Sequence, residues 1–186
     1  MQIRPAVSSD IERLIDIDGT ITSNNYLHVE KTGEGLGQGW KLQERPLRNK
    51  LIEPNRLDDE KQFAVKQIVG GIEDGVAIVA DHGGNVVASL VAQLDAAKAV
   101  LRLVDLRVDH DHRGQGLGSA LLFQLITKGR ELELRAVAAQ SKTNNVSAAN
   151  FLLKRGFDLA GLDTHFDSNH DLVKEAVTLF WYAALT

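Results

Sequence analysis

The sequence predicts a mixed α/β layer fold around one central sheet, and three observations carry that prediction. Three apolar runs, Val76 to Ala80, Val86 to Leu94 and Ala99 to Val108, follow one another across very short turns, which is how antiparallel strands are joined. A helix-periodic run, Leu117 to Ile126, then separates the third of these strands from a further strand, Leu134 to Gln140. Beyond that, a short helix and two more strands close the chain, giving the order strand, helices, three antiparallel strands, helix, strand, helix, two strands. At 186 residues the chain suffices for one compact domain, residues 1–186, that buries roughly 70% of its unfolded surface.

Taken in order, Gln2 to Arg4 reads as a short strand stopped by Pro5. Ser8 or Ser9 can cap the following helix, with Glu12 as capping-box partner of Ser9 and an apolar stripe through Ile11, Leu14, Ile15 and Ile17. Thr22 to Lys31 reads as a second, weaker helix. Gly33 to Gly39 has four glycines at alternate positions and reads as a surface loop, because no strand precedes it and no good helix follows. Trp40 to Asn55, polar and holding Pro46 and Pro54, reads as irregular. Asp58 to Val69 fits a helix capped near Asp58 or Asp59. His82-Gly-Gly-Asn85 is a hairpin turn between the first two central strands. The long helix runs to about Arg130. Asn144 or Asn145 caps a helix from Val146 to Arg155, whose basic end suits the helix dipole and which Gly156 stops. Phe157 to Leu162 and Ala176 to Tyr182 are the last strands, and the polar segment Asp163 to Lys174 lies between them.

Composition narrows the function. A formal net charge of −4 argues against general nucleic-acid binding, which needs clustered Lys and Arg. The absence of cysteine excludes disulfides, thiolate catalysis and thiolate metal sites. The opening residues lack the apolar core of a signal peptide, and no apolar run is long enough to span a bilayer, so a cytoplasmic protein is expected. Neither His110-Asp-His112 nor the set His165, Asp167, His170 and Asp171 shows a helical i, i+4 pair or a zinc spacing, and no metal is expected.

The most informative stretch joins strand Ala99 to Val108 to the long helix: Arg113-Gly-Gln-Gly-Leu-Gly-Ser119. A strand feeding a Gly-rich turn that opens a helix is an anion site, because first-turn N–H groups are free, the dipole end is positive and glycines admit a phosphate. A P-loop would need Lys before Ser119, where Gly118 stands. A dinucleotide fingerprint would need two residues between Gly116 and Gly118, and only Leu117 is there.

The remaining pattern, Arg113-x-x-Gly116-x-Gly118, resembles the acyl-CoA pyrophosphate loop of the GNAT superfamily of N-acetyltransferases. Asn145-x-x-Ala148 followed by Phe151, Lys154 and Gly156-Phe157 resembles that family's second coenzyme motif, and Ile3-Arg-Pro-Ala6 with Asp10 resembles its common beginning. The resemblance implies a mostly antiparallel sheet, flanked by helices and splayed between its fourth and fifth strands, Ala99 to Val108 and Leu134 to Gln140. It implies acetyl-CoA as co-substrate in that splay. Backbone groups of Leu106, Arg107 and Val108 would pair with the pantetheine arm. N–H groups from Arg113, Gly114, Gln115, Gly116, Leu117, Gly118 and Ser119 would hold the pyrophosphate. Asn145 and Ala148 would help position the coenzyme, with a plain helix cap as Asn145's other role.

The implied reaction is direct attack of an amine on the thioester, which needs a proton acceptor and support for the oxyanion. Asp105 is the candidate base, shared on one strand face with Leu103 and Arg107; its alternative is an ion pair with Arg107 or another cation. Where many family members carry a tyrosine that reprotonates the thiolate, this chain has Leu152. Asp163-Thr-x-x-x-Ser168-Asn169 followed by Phe180-Trp-Tyr182, with Val104-Asp-Leu-x-Val108, resembles streptothricin acetyltransferases, antibiotic-resistance enzymes. That implies a small cationic amine as acceptor, suited by Asp163, Asp167 and Asp171, with a solvated acidic loop as the alternative. Trp40 is a candidate for lining the acceptor cleft, packing being its other reading. Acceptors of protein or peptide type, a non-catalytic acyl-CoA-binding module and a homodimeric assembly stay open at this point. Neither a nucleic-acid nor a membrane partner is expected.

Overall fold

The computed structural model describes all residues, Met1–Thr186. In chain order the elements are β1 (Gln2–Pro5), α1 (Ile11–Asp16), β2 (Ile21–Thr32), β3 (Gly39–Glu53), α2 (Asp59–Val69), β4 (Gly75–His82), β5 (Asn85–Asp95), β6 (Val100–Val108), α3 (Leu117–Glu131), β7 (Ala136–Lys142), α4 (Val146–Lys154), β8 (Asp158–Asp163) and β9 (Thr178–Ala184). Contacts group them into two compact units. The first comprises Met1–Thr20, Pro54–Ala139 and Ala183–Thr186, and the second Ile21–Glu53 and Gln140–Tyr182.

In the first unit the strand order is β1-β4-β5-β6-β7. β1, β4, β5 and β6 pair antiparallel in sequence, and β7 joins β6 in parallel. The expected meander and its turn at Gly83-Gly84 are present. Leu14, Leu57, Val65, Ile68, Val79 and Val91 form a buried cluster that ties α1 and α2 to the sheet; a fully buried Leu or Val stabilises by about 1.5–3 kcal/mol. The N-terminus is held differently from the expected Ser cap. Ser8–Asp10 form a 3₁₀ turn with no side-chain cap, and the Val7 N–H donates to the Asp10 carboxylate at 2.9 Å. Arg4 donates to both Asp10 oxygens at 2.6 and 3.0 Å and to Asp81 at 2.9 Å, so one guanidinium ties β1, the start of α1 and the end of β4. That accounts physically for Arg4 and Asp10 in the opening motif.

The β6–β7 ladder is short: only Val100–Arg102 pair with Ala136–Ala138. On its other side β6 pairs with β5 throughout, with a bulge that leaves Val104 without a register partner between Leu103 and Asp105. An extra residue bends a strand and sharpens its twist, and this bend lies where the β7 ladder ends. Leu103–Val108 therefore present a backbone edge with no ladder to β7.

In the second unit β8 and β9 pair antiparallel. The rest of it corrects the sequence reading. Thr22 to Lys31 is strand, not helix, and Trp40 to Glu53 is strand, not irregular: β2 and β3 form a long antiparallel hairpin from Ile21↔Glu53 to Thr32↔Gly39. Thr, Ser, Asn, Tyr, His and Val are weak helix formers, and Leu27 and Val29 alternate with polar residues, so the two-residue period prevails. Pro46 is tolerated because β3 has a partner on one side only. Gly33 to Gln38 is the exposed hairpin connection, as a surface loop should be. α4 runs beside β2. No helix is long and apolar enough to cross a membrane.

Candidate active site

In the first unit the Gly-rich loop leads from β6 into α3. Gly114 and Gly116 have φ of +74° and +81°, in the left-handed region that side chains disfavour. Gly116 is the α3 N-cap and supplies no side-chain cap, so the first-turn N–H groups stay available until Ala120 N–H bonds the Gly116 carbonyl. Residues 113–116 are exposed, and a Cβ at Gly114 or Gly116 would meet nothing within 4 Å. Open space, free N–H groups and a positive helix end together suit a pyrophosphate.

Arg113 plays another part. Its guanidinium donates to the carbonyls of Val108 (3.0 Å), Thr20 (2.7 Å) and Asp18 (3.2 Å), and its N–H turns to His110 O. It fastens the loop to the Asp18–Thr20 segment, and the available N–H groups begin at Gly114. Asp109 braces the preceding turn, its carboxylate accepting from Asp111 N–H and pairing with His112 Nδ1, both at 3.1 Å. No group of three or more His, Cys, Asp or Glu side chains is placed to share a metal ion.

Asp105 is buried, and Arg107 donates to both of its oxygens, at 2.6 Å from Nε and 2.9 Å from Nη2. Arg107 Nη1 also donates to Ile17 O at 3.4 Å. The ion-pair arrangement is thus realised, and the pair links β6 to the chain just after α1. Leu106 and Val108 lie half-buried on the edge of β6 without a β7 ladder.

In the second unit Asn145 caps α4, its side-chain oxygen accepting from Ala148 N–H at 3.1 Å. Leu152 is buried within α4 and brings no titratable group. The acidic segment is engaged internally. Asp163 accepts from His165 N–H (2.8 Å), and Asp167 pairs with the Lys142 ammonium. Asp171 accepts from the Ser168 hydroxyl (2.7 Å) and the Asp167 N–H (2.9 Å), which hold its carboxyl below the usual carboxylate range. Trp40 stands beside the hairpin tip, opposite Lys31, whose ammonium lies 5.9 Å from its ring centroid.

A cleft of about 240 Å³ opens in this unit, lined by Tyr26, His28, Thr143 and Glu175 among apolar side chains. Tyr26 Oη lies 3.0 Å from His28 Nδ1, with the two rings edge-on. Neither Trp40 nor Asp163 lines the cleft. Sequence reasoning gave none of Tyr26, His28, Thr143 and Glu175 a place in the site. The available signal was the i, i+2 spacing of Tyr26 and His28, which shares a face only once the segment is a strand.

Residues 41–157 match the family described as acetyltransferase (GNAT) family. Streptothricin acetyltransferase A of Bacillus subtilis (strain 168) is 32% identical over 42% of this chain and 44% of its own length, so the match spans under half of that relative. Among solved structures, nourseothricin acetyltransferase has a TM-score of 0.79 at 23% identity, covering 100% of this chain and 98% of the other. A Bacillus anthracis protein solved in complex with acetyl coenzyme A has a TM-score of 0.77 at 17% identity, covering 100% and 97%. At these identities the two structures show a shared fold.

Proposed function

The chain belongs to the acetyltransferase (GNAT) family, and we propose that it transfers the acetyl group of acetyl-CoA to a primary amine of a small cationic acceptor of the streptothricin kind. The loop from Gly114 to Ser119 carries the reading: two glycines in left-handed conformation and an uncapped α3 N-terminus make an open anion cradle beside a strand edge. In this reading the N–H groups of Gly114 to Ser119 hold the pyrophosphate, and the free edge at Leu106 to Val108 takes the pantetheine amides. A backbone N–H on that edge supports the oxyanion as the amine attacks. Asp105 serves by holding Arg107, and through it Ile17, in place. The thiolate departs with the bond pair of the C–S bond and is protonated without help from Leu152. The relatives called streptothricin acetyltransferases support the acceptor class.

The test is thiol release from acetyl-CoA with a panel of streptothricin, polyamines, lysine conjugates and peptides. Turnover on the small amines but not on peptides is expected. Turnover on peptides alone would favour a protein acetyltransferase, and coenzyme binding with no thiol release on any amine would leave an acyl-CoA-binding module.

A further inference from the structure

We propose that the turn Asp18-Gly19-Thr20 is a positioning element for the coenzyme, with Arg113 as the positioning residue that fixes the Gly-rich loop to it. This rests on the acetyl-CoA reading of the loop above. It assigns the Arg113 side chain to carbonyl oxygens of this chain rather than to the anion. Coenzyme affinity then depends on a segment that begins 95 residues away in sequence.

The loop needs an outside anchor. Gly114, Gly116 and Gly118 leave its backbone freer than other residues would, and ordering a mobile loop on binding lowers affinity. A loop already fixed in place avoids that loss. Arg113 does the fixing with all three guanidinium nitrogens. Its Nε donates to Val108 O at 3.0 Å, which closes the turn of residues 109–112 on the end of β6. Its Nη1 donates to Thr20 O at 2.7 Å and its Nη2 to Asp18 O at 3.2 Å. Three carbonyls around one planar fork set its orientation as well as its place. An ammonium, a compact point charge on a flexible stem, cannot reproduce that.

The turn that receives Arg113 is itself braced. The Thr20 hydroxyl and N–H bond the Asp18 carboxylate, the N–H at 2.9 Å, and hold that carboxyl below its ordinary range. An aspartate bonded to the backbone two residues on forms a turn of its own, and here the carbonyls of Asp18 and Thr20 converge on one guanidinium. Beneath them Gly19 is buried against Arg107. A Cβ at Gly19 would stand 3.0 Å from Arg107 Nη1, 3.3 Å from its Cζ and 3.2 Å from Asn55 O. Arg107 has little room to yield, because it is bonded to both Asp105 oxygens and its Nη1 donates to Ile17 O. The segment Ile17–Thr20 is thus gripped twice, by Arg107 from within and by Arg113 at the surface. Arg107 stands in β6 and Arg113 in the loop that leaves it. The strand edge offered to the pantetheine and the loop offered to the pyrophosphate therefore share one support.

Titration calorimetry of the full chain with coenzyme A, beside initial rates with acetyl-CoA and streptothricin, tests the anchor. The Asp18 and Arg113 side chains are both exposed, so their variants probe position rather than core packing. Arg113→Gln and Arg113→Lys should each weaken coenzyme A about tenfold. KM for acetyl-CoA should rise with it, and kcat at saturating acetyl-CoA should be kept. Asp18→Ala should weaken binding by a smaller factor. The double variant should bind no more weakly than Arg113→Gln alone, because both changes break the same tie. Wild-type affinity in Arg113→Lys, or losses that multiply in the double variant, would give Arg113 to the anion and overturn the anchor. So would unchanged affinity in Arg113→Gln. A wild type that does not bind coenzyme A overturns the coenzyme reading of the loop itself.

Discussion

The loop that opens α3 and the cleft beside β2 are built from different materials. The loop presents backbone: N–H groups of six consecutive residues, Gly114 to Ser119, aimed by two glycine torsions and one helix end. The cleft presents side chains from positions 26, 28, 143 and 175, drawn together by a hairpin, a turn and the approach to β9. An anion site made of backbone needs a torsion pattern, and torsion patterns are written in neighbouring residues. A cleft lined by side chains needs chemical groups at chosen distances, and nothing requires those groups to be neighbours in sequence.

Substituting the backbone site should separate the two most sharply. Gly116→Val places a β-branched residue at φ +81°, where it is strained by about 1–2 kcal/mol, and turns the first N–H groups of α3 away from the anion. KM for acetyl-CoA should rise tenfold or more while KM for the amine stays put. A change confined to the amine would remove the loop from coenzyme binding. Asp105→Asn comes next. It leaves Arg107 buried beside a neutral amide, and urea unfolding should show a loss of about 3 kcal/mol with coenzyme affinity intact in the protein that remains folded. Unchanged stability with a collapsed rate would instead return Asp105 to the role of base.

The acid limb gives the smallest effect and compares the two units directly. In the first, the Arg4 guanidinium holds the Asp10 carboxyl below its ordinary range; in the second, the Ser168 hydroxyl and Asp167 N–H do the same for Asp171. A carboxyl whose folded pKa is lowered contributes stability that is fully present above its unfolded pKa, near 4. That contribution is lost as pH falls through the folded value. Urea midpoints between pH 5 and 2 should fall for the wild type, and fall less steeply for Asp10→Asn and Asp171→Asn. Parallel slopes in all three would remove both groups from the acid limb.

What was legible in the sequence follows the same line. The strands from Gly75 to Val108, the Gly83-Gly84 turn, the Asp58 cap and the Asn145 cap were readable because each depends on residues within a few positions of one another. The β2–β3 hairpin was not. Its residues are mixed in propensity, and its strand character comes from pairing across a long connection. The Ser8 or Ser9 cap also failed: the start of the helix is held instead by the Asp10 carboxylate, which accepts from the Val7 N–H and from Arg4. Asp105 was read as a candidate base with an ion pair to Arg107 as the alternative, and whether a carboxylate pairs with an arginine next but one to it is a matter of burial; both turn out to be buried.

By itself, then, the sequence determined the family, the main sheet and the Gly-rich turn into α3, because periodicity, caps and glycine torsions act over short spans of chain. Only the tertiary structure decided that Arg113 fastens the loop to Asp18 and Thr20, that Asp105 pairs with Arg107, and that Tyr26, His28 and Glu175 share one cleft. Those outcomes depend on which distant segments pack together, and packing is settled by the whole chain at once.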